Sequence, residues 1–237
     1  MRFLCLHGIG TNSHVFETQF ATISYEMDRH HSFDFVEGTE IEPIAPDVRF
    51  VPALTPCPHP LEIKPYYSSR DTYYSYARPT AESHARALAQ LQRYVDEEGP
   101  FDGAIGFSQG AALVSTYLIQ HRQTRPGESL PFRCAIFFSA SRPFDVAGLA
   151  VGILRWAAPL GSGAEPVLNL PTAHIWGTKD VQYRDESEFL RSMCNPVGRE
   201  TYIHGGGHEV PGPRAKEDVQ GCIRVIRRVI EKASVDL

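Results

Sequence analysis

Gly106-Phe107-Ser108-Gln109-Gly110 sets a serine in G-x-S-x-G spacing, between a short apolar run and a segment of helical periodicity. A serine hydroxyl is a weak nucleophile at neutral pH. It attacks an acyl carbonyl only where a base takes its proton and donors receive the developing oxyanion. Small residues at both flanks let a strand and the following helix close on a sharp turn. The hydroxyl is then exposed at the strand end, with the positive end of a helix beside it. The remaining partners follow in the order serine, acid, histidine. Asp180 follows the apolar run 172–176 through Gly177-Thr178-Lys179, and Asp185 and Glu186 are its substitutes, expected in the next helix. His208 follows a run ending at Ile203 through Gly205, Gly206 and Gly207. All three then lie where strands end, on one rim of a sheet.

Two backbone N–H groups are needed for the oxyanion. One is the amide of Gln109, directly after the serine. The other is assigned to Ile9, in the glycine-flanked turn His7-Gly8-Ile9-Gly10 after an earlier strand. His7 precedes the serine and abuts the sheet, so it reads as a structural histidine. His30, His31 and His59 lack metal-ligand spacing with acidic or thiol partners, so no metal is assigned and no cofactor is called for.

The elements that must position these residues alternate strand and helix. Strands are expected at 3–6, 33–36, 103–106, 134–138, 172–176 and 200–203. Helices are expected around Phe16, Phe20 and Ile23, over an Ala81, Ala85, Leu88, Leu91, Val95 stripe capped by Thr80, from the elbow to about His121, at 186–193, and along Val219, Ile223, Ile226 and Ile230. This alternation implies a mostly parallel sheet with helices on both faces. Residues 39–79 are proline-rich and read as a long irregular excursion followed by a tyrosine cluster. Residues 142–170 carry Val146, Leu149, Val151, Ile153, Leu154 and Trp156 and read as an apolar lid, or else as core or a dimer contact. Without a linker or repeat, residues 1–237 are expected to form one domain.

Composition narrows the function classes. The 237 residues are 42% hydrophobic and 22% charged, so a sizeable core is available and disorder is excluded. A formal net charge of -5 gives no basic footprint for nucleic acid or an anionic membrane. The longest uncharged run, 103–120, is interrupted by polar residues and glycines, which excludes a membrane span, and no secretory leader is expected. Five scattered cysteines without CxxC spacing read as reduced thiols of a cytoplasmic protein.

Leu4-Cys5-Leu6-His7-Gly8-Ile9-Gly10 with Asn12 and Phe16, Phe35-Val36-Glu37-Gly38, the approach Gly99-Pro100-Phe101-Asp102-Gly103 to the elbow and its continuation Ala111-Ala112-Leu113, Gly177-Thr178-Lys179-Asp180, and Gly207-His208-Glu209-Val210-Pro211 together resemble the fungal serine hydrolase family across nearly the whole chain. Thr39 departs from it, standing where proline is common. The resemblance implies an α/β-hydrolase fold like that of acyl-protein thioesterases, with Ser108 as nucleophile, Asp180 as acid, His208 as base, and Ile9 and Gln109 as oxyanion donors. It also implies a standalone enzyme beside a polyketide synthase, releasing an acyl chain from an acyl carrier domain by cleaving its thioester. Under that reading Tyr66, Tyr67, Tyr73 or Tyr74 would join Leu149, Ile153 and Trp156 of the lid over an acyl-binding cleft. A general carboxylesterase, an acyltransferase or cyclase using the same acyl-enzyme, and a non-catalytic binding module of the same fold are the alternatives. The triad leaves thioester and oxygen ester, and the oligomeric state, open.

Overall fold

The computed structural model describes residues 1–27, 30–45, 71–161 and 165–235. A six-stranded parallel sheet runs in the order β2-β1-β5-β6-β7-β8, built from β1 (Arg2–Leu6), β2 (Ser32–Val36), β5 (Gly103–Phe107), β6 (Cys134–Phe138), β7 (Thr172–Gly177) and β8 (Arg199–His204). A separate antiparallel pair joins β3 (Glu40–Glu42) to β4 (Tyr73–Ser75). The helices are α1 (Ser13–Glu26), α2 (Ala81–Glu98), α3 (Gln109–Thr124), α4 (Val146–Ala150), α5 (Arg184–Ser192) and α6 (Lys216–Val235). The alternation read from the sequence is thus present, and the fold is α/β.

The central strands are apolar on both faces because helices cover both. Leu4, Leu6, Ala135 and Phe137 point to the layer of α2, α3 and α4, while Phe3, Cys5, Ile105, Phe107, Ile136 and Phe138 point to that of α1 and α6. Helix α2 starts where the Thr80 hydroxyl accepts from the Ser83 N–H (3.2 Å), and it ends at Gly99. Its buried face is Ala81, His84, Ala87, Leu88 and Leu91, and Ala85 is exposed, which corrects the expected stripe. His84 is buried beside that position, its ring packed on Phe144 (4.1 Å).

The 39–79 excursion differs from expectation at its two ends, where β3 and β4 form a ribbon rather than irregular chain. The described part of 142–170 divides between buried and exposed apolar side chains. Val146 and Leu149 of α4 join the buried cluster under α2 and α3, as do Phe144, Leu168 and Leu170. Val151, Ile153 and Trp156 stay exposed, with the Trp156 ring stacked on Phe144 at 4.4 Å. No described helix is long and apolar enough to cross a membrane.

Candidate active site

At the end of β5 the chain turns sharply, and Ser108 takes φ 53° and ψ -114°, a left-handed conformation that side chains rarely adopt. The neighbours that hold it there are close-packed backbone. A Cβ on Gly106 would lie 2.5 Å from the Ala111 Cα, and one on Gly110 would lie 2.3 Å from the Leu6 carbonyl oxygen. The Ser108 N–H donates to the Phe138 carbonyl (3.0 Å), fastening the elbow to β6. Ser108 precedes the first turn of α3, yet its side chain makes no capping bond, so the hydroxyl is left at the positive helix end.

The turn after β7 and the loop after β8 are laced together by backbone bonds from Thr178 N to His204 O (2.8 Å) and from Lys179 N to Gly206 O (2.9 Å). Gly177 permits this approach, because a Cβ there would fall 2.2 Å from the Gly206 oxygen. The result brings His208 Nδ1 to 2.8 Å from Asp180 Oδ2. Asp180 is buried, and the Tyr183 N–H donates to its Oδ1 (3.2 Å). Burial pushes this carboxyl toward the neutral form, but the hydrogen bond and charge of His208, with help from Ser139 and Tyr183, outweigh it and hold the pKa below the ordinary aspartate value. With Nδ1 on the carboxylate, Nε2 is the ring nitrogen left to act as base. The imidazole lies against the rings of Phe107 (centroids 5.0 Å apart) and Tyr183 (4.3 Å). Among the described residues no hydrogen bond joins the Ser108 hydroxyl to His208. Such bonds are often long in an empty site and tighten only around substrate.

The loop after β1 abuts the elbow, since a Cβ on Gly8 would be 3.0 Å from the Phe107 ring and 3.3 Å from the Ser108 Cβ. Gly10, at φ 66°, donates to the Tyr74 carbonyl (2.9 Å) and accepts from the Ala45 N–H (2.9 Å), while the Thr11 hydroxyl donates to the Gly8 carbonyl (2.7 Å). Among the described residues, neither the Ile9 nor the Gln109 N–H has a hydrogen-bond partner, so both amides remain available to an anion. His7 is fully buried, its Nδ1 2.7 Å from the Gly8 carbonyl and its Nε2 3.0 Å from both the Gly38 N–H and Glu37 Oε1, which suits the structural role expected of it.

Asp185 and Glu186 lie in α5, and Glu186 pairs with Arg142 (2.9 Å), while Asp180 holds the histidine. Of the residues assigned to substrate, Leu149 lines an apolar cavity of about 10 Å³ with Tyr76, His84, Leu88, Gln109, Leu113 and Phe144. Tyr73 is buried in the β3–β4 ribbon and Tyr74 is tied into it, whereas Ile153 and Trp156 are half-exposed. Tyr66 and Tyr67 lie outside the described residues.

Sequence reasoning missed three contributors. The Gln109 side chain accepts from the Tyr76 N–H (2.9 Å) and donates to the Ala77 carbonyl (3.2 Å), pinning the entry to α2 onto the elbow. The buried Tyr76 hydroxyl donates to the Val36 carbonyl (2.8 Å) and accepts from the His7 N–H (2.9 Å). The third is Tyr183, with its ring on His208. A glutamine beside a nucleophile was read only for its amide, and the tyrosines carry no spacing signal of their own.

Comparison with known proteins bears on the family and the fold. The family model described as serine hydrolase (FSH1) matches residues 1–220. The chain is 36% identical to Esterase FPY3 of Fusarium mangiferae, over 99% of both proteins. It is 27% identical to Hydrolase phiM of Fungal sp. (strain ATCC 74256), over 89% of this chain and 86% of that one. Among solved structures, the carboxylesterase from Mesorhizobium loti superposes with a TM-score of 0.56 at 16% identity, covering 92% of this chain and 86% of that one, a likeness of fold.

Proposed function

The chain belongs to the FSH1 serine hydrolase family and is an ester-hydrolysing enzyme; from that premise we propose that it is a thioesterase, releasing a polyketide or similar acyl chain from a carrier domain in fungal secondary metabolism. Ser108 is the nucleophile, His208 the base, Asp180 the residue that orients and supports the imidazole, and the Ile9 and Gln109 amides the oxyanion donors. The observation that carries this reading is the 2.8 Å pair of His208 and buried Asp180, at the same edge of the sheet as the strained, uncapped Ser108. His208 Nε2 takes the hydroxyl proton as Ser108 attacks the carbonyl, and the two amides receive the charge. Collapse expels the sulfur, a good leaving group because a thiol pKa is about 8.5, and the departing sulfur takes the proton held on His208, which restores the neutral imidazole. Water, deprotonated by the same imidazole, then releases the acid from the ester on Ser108.

An apolar acyl group is supported by the exposed apolar side chains of the segments that follow the strands: Ile9 after β1, Ile153 and Trp156 after β6, and Val181 after β7. The cytoplasm is the compartment we propose. The buried free thiols Cys5, Cys134, Cys194 and Cys222 fit it. The esterase name of the FPY3 relative favours a second reading, cleavage of oxygen esters by the same residues.

Turnover of matched thioesters and oxygen esters of increasing acyl length, corrected for intrinsic reactivity and with the Ser108→Ala protein as blank, tests both. A preference for thioesters that grows with length is expected. Faster cleavage of short oxygen esters would replace the thioesterase reading with a general carboxylesterase, and activity undiminished in Ser108→Ala would sink both. Esters or amides formed from added alcohols or amines would mark acyl transfer instead of hydrolysis.

A further inference from the structure

The pair of His208 and Asp180 is held by a single hydrogen bond, and one bond does not fix an imidazole. The ring can still swing about its own side-chain torsions and rock about the Nδ1 contact, and either motion carries Nε2 away from the serine. Asp180 has the same freedom unless something holds its second oxygen. Both freedoms are limited by one residue.

Tyr183 lies three positions after Asp180, in the turn that opens α5. Its backbone N–H donates to Asp180 Oδ1 (3.2 Å), leaving Oδ2 for His208. Its half-buried ring lies on the His208 imidazole, with centroids 4.3 Å apart and planes at 31°, closer than the Phe107 ring at 5.0 Å. The Gln182 side chain donates to its hydroxyl (3.2 Å), which holds the ring in place from the same turn. The His208 side chain is 17% exposed, so without Tyr183 much of this ring would meet water.

We propose that Tyr183 is a positioning residue of the hydrolysis: its backbone orients Asp180, and its ring holds the His208 imidazole and stabilises the imidazolium formed while His208 carries the serine proton. The inference rests on the roles given above to Ser108, His208 and Asp180. An aromatic face attracts a cation over it, and the cation here exists only between proton uptake from the serine and proton delivery to the leaving group. The interaction therefore strengthens toward the transition state, which is the condition for raising kcat rather than lowering KM.

Two substitutions separate the ring from the bulk. Tyr183→Leu keeps the volume of a side chain against His208 and loses the aromatic face, while Tyr183→Phe keeps the face and loses the hydroxyl. With a p-nitrophenyl ester, Tyr183→Leu should lose about tenfold in kcat with KM within twofold of the parent. Tyr183→Phe should recover most of that loss. Neither substitution removes a carboxylate or a histidine, so the loss in kcat reports the ring.

A higher KM with unchanged kcat would overturn the proposal in favour of a substrate contact, and Tyr183→Phe as slow as Tyr183→Leu would overturn it in favour of the hydroxyl. Should Tyr183→Leu fail to fold, the NMR spectrum of the parent enzyme still decides. A ring above His208 shifts the imidazole carbon-bound protons upfield, and unshifted protons would refute the stack. Full activity in His208→Ala or Ser108→Ala would remove the underlying assignment instead, a result distinct from any behaviour of Tyr183.

Discussion

Gly110→Ala is the smallest change that should separate the two halves of the proposed oxyanion site. The new Cβ would fall 2.3 Å from the Leu6 carbonyl oxygen and 2.7 Å from that of His7, both main chain, so no side chain can rotate out of the way. Relief to van der Waals distance requires the start of α3 and the end of β1 to part by about 1 Å. Those two segments lead to the Gln109 and Ile9 amides, so the proposed donors separate where an oxyanion would touch both. A displacement of this size costs on the order of 100-fold in rate. Stability changes less, because overpacking costs about 1 to 3 kcal/mol while removing a helical glycine returns up to about 1 kcal/mol. The net loss lowers Tm by a few degrees, at roughly 2 to 4 °C per kcal/mol for a protein of this size. The assay is kcat/KM on a p-nitrophenyl ester together with the rate of fluorophosphonate labelling, each beside a thermal melt. Gly127→Ala is the control, since Gly127 has φ 98° with nothing within 4 Å of its would-be Cβ, so that change strains a surface turn and should leave kcat/KM unaltered. Gly110→Ala with kcat/KM within threefold of the parent and an unchanged melt would refute the argument that this contact sets the donor spacing.

Two further outcomes concern stability. His174 is fully buried, and desolvation, with the charges of Arg191 and Arg199, lowers its pKa from 6.5 to about 3. The unfolded chain therefore binds a proton that the folded one refuses, and stability should drop by about 1.4 kcal/mol per pH unit as pH falls from 6.5 toward 3; urea denaturation of His174→Leu should lack that component, and parallel pH profiles for the two proteins would contradict it. Thr80→Ala removes the oxygen that accepts from the Ser83 N–H, so a loss of about 1 kcal/mol is expected, read as a Tm lower by a few degrees with kcat unchanged.

The sheet and the order of the site residues were legible because they rest on local chemistry. Short apolar runs became β1, β5, β6 and β7, and the small residues around Ser108 announced the turn that their missing Cβ atoms allow. Glycines before Asp180 and His208 carried the same kind of signal, since Gly177 is where two loops must touch. What escaped was decided by packing between distant segments. The apolar stripe of α2 included Ala85, but the buried side chain is that of His84, whose ring lies on Phe144, sixty residues on. The apolar content of 142–170 announced burial and could not say which part: α4 went beneath α2 and α3, and Ile153 and Trp156 remained outside. Tyr183 looked like any residue of a polar turn, because its significance comes from a loop that returns to it after β8.

The hydrogen bonds of Gly10 with Tyr74 and Ala45 have a consequence for how such an enzyme can diversify. They clamp both ends of the proline-rich excursion to the loop that presents the Ile9 amide, and the β3–β4 pairing closes it at its base. The entropy of joining two fixed anchors grows only with the logarithm of the intervening length, about 0.6 kcal/mol for each doubling. Insertions and deletions between the anchors therefore place little load on the loop that the anchors hold. The excursion is a stretch in which evolution can rewrite length and composition while the Ile9 amide keeps its address.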